Sequence, residues 1–264
     1  MRPNAFVLSA SLILCVFTLS QAPCFSDDAP FLTKKLVRIS GLRSQLQQFP
    51  NAFLMTIPRD LFPENRSLPA FTIQMKKRIN PDDLIELVEQ TLGRNRDIEK
   101  LDLTIKFYES SLGRKLGRIQ GDALSAYNIK SIREARKVAT SLTQDREKLF
   151  ERIIKSQRIY ENNYAFRKSI AGILGQGSLE IMGGYPEKFS RGSMDPIRET
   201  VLTCFAFTYR SLSDAELKDL ANFEETDAAA WFESNVATGF KQVISKTLEV
   251  FSEELRNLRN ESGD

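Results

Sequence analysis

The chain has 264 residues, and its 37 lysine and arginine side chains nearly balance 34 aspartates and glutamates. It contains three cysteines and no histidine. The missing histidine excludes Ser-His-Asp and Cys-His catalysis as well as histidine-ligated zinc. A formal net charge of +3 is too small to indicate nucleic acid as a partner. An enzyme of this composition would need carboxylate pairs, lysine chemistry or an oxygen-bound cation, and we expect no cofactor.

The N-terminus has the pattern of a secretory signal peptide. Arg2 supplies a positive charge, and an apolar run follows from Ala5 to Leu19. Small residues at the −3 and −1 positions allow cleavage after Ala22 or after Ser26, and the second site is favoured. The run is shorter than the roughly 20 residues that a membrane helix needs, which disfavours the alternative of an uncleaved anchor. We expect a signal peptide over residues 1–26 and an exported product without a transmembrane segment.

Removal of the signal peptide reduces the number of cysteines in the mature chain. Cys15 leaves with it and Cys24 leaves if cleavage follows Ser26, so Cys204 then stands alone in an apolar context. We interpret Cys204 as a buried packing residue, since no basic neighbour in the sequence would lower the pKa of its thiol. No disulfide is expected to hold the protein together.

Helical spacing dominates the first half of the remaining chain. Apolar residues recur every three or four positions from Phe31 to Leu46, which predicts one amphipathic helix containing Gly41. Four prolines in residues 50–70 predict short helical turns instead of a long helix.

The next two helices carry clear start signals. Asn80 can cap a helix whose first position is Pro81, and that helix is predicted to end near Gly93. Another helix is predicted to begin at about Asp97 and to turn between residues 110 and 113.

The second half is also predicted to be helical. Residues 122–168 contain neither glycine nor proline, but capping residues occur from Ser141 to Asp145, so one long helix and two near-collinear helices both fit. Five glycines interrupt residues 170–186. Ser213 and Glu216 match a capping box at the start of a helix. The further helices are predicted at about 196–209, 217–223 and 228–258.

Two short segments of the chain echo each other. Phe107-Tyr108-Glu109-Ser110 and Phe223-Glu224-Glu225-Thr226 lie at an offset of 116 residues, from 107 to 223, with matching apolar residues before and after them. Two similar segments at a fixed offset predict internal duplication of a helical unit. We therefore expect an all-α protein in which two divergent helical repeats, residues 27–141 and 142–258, pack as one multi-helix body, followed by a frayed tail over residues 259–264.

The first segment, from Phe107 to Leu116, resembles the F-Y-x-S-P-x-G-x-K signature of an exported bacterial family called domain of unknown function 2059. The best match covers roughly residues 32–124, with Ser111 where proline is usual. Residues 146–250 resemble a more divergent copy, in which Ala229 replaces the glycine and Trp231 the lysine. The resemblance implies a small helical periplasmic module of unknown activity, and it brings no catalytic residues.

The residues of this motif have an ordinary structural interpretation. Phe107 and Tyr108 are expected to pack, Gly113 to permit a turn or a close approach of helices, and Glu109 to pair with a neighbouring cation. In the first copy that cation would be Arg114 or Lys115. The second copy is more apolar, and its corresponding candidate residues are Phe223, Glu225 and Trp231. If one copy has kept a binding role, we expect it to be the polar first copy.

A basic stripe is the remaining candidate binding surface. On a helical wheel six cations cluster opposite the apolar sector: Lys130, Arg133, Lys137, Lys148, Arg152 and Lys155. Such a stripe can bind lipid headgroups or another anionic ligand, although a solvated outer face is the commoner explanation.

These observations favour a noncatalytic interaction module that binds another protein of the cell envelope. The alternatives are an anionic-ligand site on the basic stripe and a histidine-free hydrolase. The hydrolase would need two carboxylates that face each other in a cavity, and the sequence identifies no such pair.

Overall fold

The structure is a computed structural model that describes residues 20–23, 29–56, 67–123, 129–162 and 194–262. The prediction of an all-α fold is confirmed. The helices are α1 (Ala29–Ile39), α2 (Leu42–Thr56), α3 (Ser67–Arg78), α4 (Pro81–Arg94), α5 (Ile98–Glu109), α6 (Ser111–Asp122), α7 (Ile129–Thr140), α8 (Gln144–Ser156), α9 (Met194–Thr208), α10 (Asp214–Glu224) and α11 (Asp227–Ser262).

Extended backbone is minimal in the described ranges. A short parallel pairing joins β1 (Ser20–Pro23) to β2 (Arg96–Asp97), with Ala22 opposite Arg96. β1 falls within the predicted signal peptide, whose other residues lie outside the described part of the chain. The glycine-rich residues 170–186 and the two central prolines of residues 50–70 also lie outside it.

The chain breaks between α1 and α2, where a single helix was predicted. α1 ends at Ile39, and Gly41 adopts a φ of 82°, a left-handed conformation that glycine adopts at little cost. The N–H of Ser40 donates to the carbonyl of Leu36 at 3.0 Å and closes the last turn. The prediction of one continuous helix was wrong because Gly41 ends α1 and lets α2 leave in a new direction.

Pro50 is a second departure from expectation, because it lies inside α2 and does not end it. A proline there cannot donate a hydrogen bond to the carbonyl of Leu46. Its neighbours explain why the helix persists: Phe49 and Ala52 are buried, and the Phe49 ring packs edge-on against Phe240 at 5.6 Å. Core packing therefore outweighs the local penalty.

The predicted helix starts of the first half are confirmed in atomic detail. The side chain of Asn80 accepts from the N–H of Asp82 at 3.1 Å, with Pro81 in the first position of α4. Asp97 caps α5, and Ser110 caps α6 by accepting from the N–H of Gly113 at 3.0 Å. These caps fix the corners that separate α4, α5 and α6.

The open question over residues 122–168 is resolved in favour of two helices. Thr143 accepts from the N–H of Arg146 at 3.3 Å and starts α8 after the end of α7. The capping box of Ser213 and Glu216 is present at α10. α11 continues to Ser262 and so extends into the segment that was predicted to fray.

α11 is the centre of the packing. It lies against α3, α4 and α5, while α1 and α2 pack on the other sides of α4, α5 and α6. Phe251 near its end contacts both Phe53 and Phe71 edge-on. In the second half, α7 packs on α9, and α8 packs on α9 and α10. None of the helices in the described ranges combines the length and apolar character needed to cross a bilayer.

The two echo segments meet in the structure. The rings of Phe107 and Phe223 stack with their centroids 3.5 Å apart and their planes 2° from parallel. The same offset of 116 residues relates the caps of α5 and α10, Asp97 and Ser213. It also relates Ser110 to Thr226, whose hydroxyl accepts from the N–H of Ala229. Internal duplication stays a prediction, and these shared caps are what it would produce.

Candidate functional site

The basic stripe is divided between α7 and α8, which both pack on α9, while α8 also packs on α10. Arg152 on α8 binds both carboxylate oxygens of Glu225, at 2.8 and 2.9 Å, and also donates to Asn222 on α10. The hydrogen bond from Arg152 lowers the pKa of Glu225 and in turn raises the pKa of Arg152. Arg152 therefore joins two helices of the protein to each other.

The other stripe residues differ in their surroundings. Lys148 pairs with Asp145 at 2.9 Å along the same helix. Arg133, Lys137 and Lys155 are exposed. Lys130 lies in α7, and its side chain is outside the described part of the chain. The structure thus leaves three described stripe cations exposed to solvent.

Arg152→Ala is expected to lower the free energy of unfolding by about 1 kcal/mol, because it removes a two-bond ion pair between α8 and α10. Lys155→Ala on the exposed side of the same helix is the matched control, with an expected change under about 0.5 kcal/mol. Urea denaturation followed by circular dichroism measures both. Equal effects of the two variants would contradict a structural role for the Arg152 ion pair.

The polar side chains of the first motif copy also bind within the protein. Glu109 pairs with Lys35 on α1 at 2.6 Å, so the predicted pairing with Arg114 or Lys115 is wrong. The Arg114 guanidinium instead donates to the backbone carbonyl of Glu109. Lys115 donates to both oxygens of Glu216 on α10 at 2.8 Å, because the capped turn at Ser110 directs α6 toward that helix.

The aromatic residues of the motif pack as predicted. Tyr108 is fully buried and its ring lies edge-on against Phe232. Trp231, the counterpart of Lys115, is also buried, and its indole N–H donates to the carbonyl of Asn95 at 3.1 Å. Cys204 is buried as well, in agreement with its interpretation as a packing residue.

Sequence reasoning identified Tyr108 but missed the buried polar residues around it. We call the whole set the Glu224 cluster: Tyr108, Gln120, Gln157, Tyr209 and Glu224. Each is at most 2% exposed. The Gln120 amide donates to the Tyr209 hydroxyl at 3.2 Å. The signal was present in the sequence, since Glu224 continues the apolar face formed by Leu217, Leu220 and Ala221 on α10.

Burial controls the protonation of this cluster. It raises the pKa of Glu224 to about 8, and the amide of Gln157 offsets part of that rise. Neither carboxylate oxygen of Glu224 forms a hydrogen bond of regular geometry with the described residues. The Gln157 amide therefore lowers the pKa of Glu224 without such a bond. Burial, together with the charge of Glu224, also raises the pKa of Tyr108. The carboxyl group of Glu224 is therefore mainly protonated at pH 7, deep in the core.

An open groove lies between α1 and α4, with a volume of about 710 Å³. We call it the α1–α4 groove. It is lined from α1 and the start of α2 on one side and from α4 on the other by Pro30, Thr33, Lys34, Arg43, Asp82, Ile85, Glu86, Glu89, Gln90, Gly93 and Arg94. Helix α4 holds its place here because Leu84, Val88 and Leu92 on its opposite face are buried.

Lys34 and Glu89 are the two charged side chains of this groove that have neither an ion pair nor a side-chain hydrogen bond among the described residues. Glu89 is half-buried, and burial raises the pKa of its carboxyl group. The positive charges of Lys34 and then Arg43 act in the opposite direction, although neither approaches Glu89 within 4 Å. Nothing local in the sequence singles out Lys34 or Glu89, because only the packing of α1 against α4 brings them to one groove.

Phe31 follows the groove residue Pro30 in α1 and is 68% exposed, the largest value among the exposed large hydrophobic residues of the described chain. Its side chain is not among those that line the groove. No group of acidic or cysteine side chains in the described ranges is arranged to hold a metal ion.

A scan against protein-family models, a search of curated proteins and a search of solved structures each gave no match to this chain. The resemblance to the domain of unknown function 2059 family therefore stays a prediction from the residues of the Phe107 segment.

Proposed function

We propose that this chain is an exported, noncatalytic binding module of the bacterial cell envelope, and that a partner protein binds in the α1–α4 groove. The observation that carries the proposal is the presence of Lys34 and Glu89 in one groove without an ion pair between them. Charged groups that the protein does not pair itself are available to a partner.

The open form and the charged lining of the groove support this proposal. Its volume of about 710 Å³ leaves room for side chains of a partner, and its walls present charged groups of both signs. Export rests on the signal pattern of residues 1–26, and the periplasm on the family resemblance.

The two alternatives have less support. An anionic ligand on the basic stripe would compete with Glu225 for Arg152 and with Asp145 for Lys148. For a hydrolase, the carboxyl group whose pKa burial raises to about 8 is that of Glu224, which is 1% exposed in the core and does not line the groove. Hydrolysis would require substrate to reach it.

A photo-crosslinking experiment tests the proposal. A benzophenone amino acid replaces Gln90 in the groove, and in a matched control it replaces the exposed Lys137 on α7. Each variant is irradiated in an envelope extract, and its crosslinked products are separated and identified. We expect a discrete crosslinked protein from position 90, suppressed by excess unlabelled protein, and none from position 137. The same products from both positions, or none from position 90, would contradict a partner site in the groove.

A further inference from the structure

The charges that line the α1–α4 groove balance each other. Lys34, Arg43 and Arg94 face three carboxylates, those of Asp82, Glu86 and Glu89. A ligand of a single sign would therefore meet repulsion as well as attraction inside the groove. This balance disfavours an isolated anion or an isolated cation as the occupant.

Several of these charged groups are already bonded to neighbours within the protein. Arg43 lies 3.6 Å from Asp82. Glu86 accepts from the amide of Gln90 at 3.0 Å, and the carbonyl oxygen of that amide is 3.5 Å from Arg94. Lys34 and Glu89 remain without such partners in the described ranges, one on each wall.

Partial burial strengthens the electrostatic interactions of the Glu89 carboxylate. Its half-buried carboxylate is partly shielded from water, and an interaction between charges strengthens as water is removed. Lys34 influences Glu89 electrostatically across the groove without contacting it. The space between them can accept a group that offers a donor to Glu89 and an acceptor to Lys34.

We infer that the groove recognises a polypeptide segment in which a basic and an acidic side chain lie next to each other, with the basic group bound by Glu89 and the acidic group by Lys34. This inference rests on the proposed function and names the chemistry of the partner. It gives the groove an orientation preference, because only one direction of the segment places both groups opposite their partners.

Short peptides test this inference directly. Acetylated and amidated pentapeptides carry Lys-Glu, Lys-Lys, Glu-Glu or Gln-Gln at the same central positions, so that their termini add no charge. Each is titrated against ¹⁵N-labelled protein up to millimolar concentration, and binding is measured from amide chemical shifts in α1 and α4. We expect the Lys-Glu peptide to bind about fivefold or more tightly than the other three, as one lost ion pair of about 1 kcal/mol implies.

Single variants assign the two contacts. Glu89→Gln should weaken the Lys-Glu peptide about fivefold, and Lys34→Gln should do the same, whereas Lys137→Gln at an exposed site on α7 should leave binding unchanged. Because all three residues are at least partly exposed, we expect each variant to fold. Equal binding of all four peptides, tightest binding of the Lys-Lys or Glu-Glu peptide, or no binding at all would overturn the inference.

The two proposals fail separately. If position 90 captures a partner while the Lys-Glu peptide does not bind, the proposed function stands and the charge-pair inference is wrong. If the peptide binds in the groove while position 90 captures nothing, the recognition chemistry stands and the proposal of an envelope partner is wrong.

Discussion

Ionisation of Glu224 is expected to lower the free energy of unfolding as the pH rises, and Glu224→Gln should abolish this loss. The pKa of Glu224 is about 8 in the folded state, above its ordinary value of 4.5, because the side chain is buried. The folded state therefore holds this proton more tightly than the unfolded state does. The contribution is fully present below about pH 4.5 and is lost as the pH rises through 8.

The size of the effect follows from the width of this window. Each pH unit inside it changes the free energy of unfolding by at most about 1.4 kcal/mol for one group, so the loss by pH 9 is on the order of a few kcal/mol. Glutamine keeps the shape of the protonated side chain and does not titrate. We expect the variant to differ from the wild type by no more than about 1 kcal/mol at pH 5 and to exceed it by a few kcal/mol at pH 9, as measured by urea denaturation.

Glu225 provides the matched control in the next position. Its pKa is lowered by Arg152, so its contribution is present above the ordinary pKa of a glutamate and is lost as the pH falls. Glu225→Gln should therefore lower stability slightly at pH 7 and leave the alkaline loss unchanged. Parallel stability curves for wild type and Glu224→Gln from pH 5 to pH 9 would show that Glu224 is not the group responsible.

Gly117→Ala is expected to cost about 3 kcal/mol or more, or to prevent folding. A Cβ atom at Gly117 would lie 2.2 Å from the carbonyl oxygen of Ile39, and a Cβ atom at Gly41 would lie 2.1 Å from the carbonyl oxygen of Gly117. Both obstacles are backbone atoms, which cannot move aside as a flexible side chain can. The crossing of α6 over the corner between α1 and α2 needs glycine on both sides.

Gly93→Ala separates this steric effect from the general effect of replacing a glycine in a helix. Gly93 lies in α4, and a Cβ atom there would meet nothing within 4 Å. Alanine should stabilise this helix by about 0.5–1 kcal/mol. Thermal and urea denaturation measure both variants. A Gly117→Ala protein as stable as wild type or Gly93→Ala would show that the crossing is looser than the structure indicates.

Local chemistry explains which parts of the fold were predictable. The caps at Asn80, Asp97 and Ser213 depend on side chains that bond within three residues of themselves, so their signals are complete in the sequence. The amphipathic spacing that follows each cap depends on the same short range. The all-helical class could therefore be predicted in full.

The features that could not be predicted all depend on contacts between segments that are distant in the sequence. Gly41 could be interpreted as a tolerated helix glycine until α6 is placed against it. Pro50 persists within α2 because its neighbour Phe49 packs on Phe240 of α11. Lys34 and Glu89 form a candidate site only because α1 lies beside α4. None of these contacts can be recognised from the sequence around the residue concerned.

The position of α11 has a consequence for the order in which the protein can form. The last helix of the chain supplies Phe240 and Phe251 to the aromatic core of α2 and α3, and Glu253 and Glu254 to Arg78. The first half cannot complete its core until the ribosome has made nearly all of the chain. The early helices therefore keep part of their apolar surface exposed until α11 has been made.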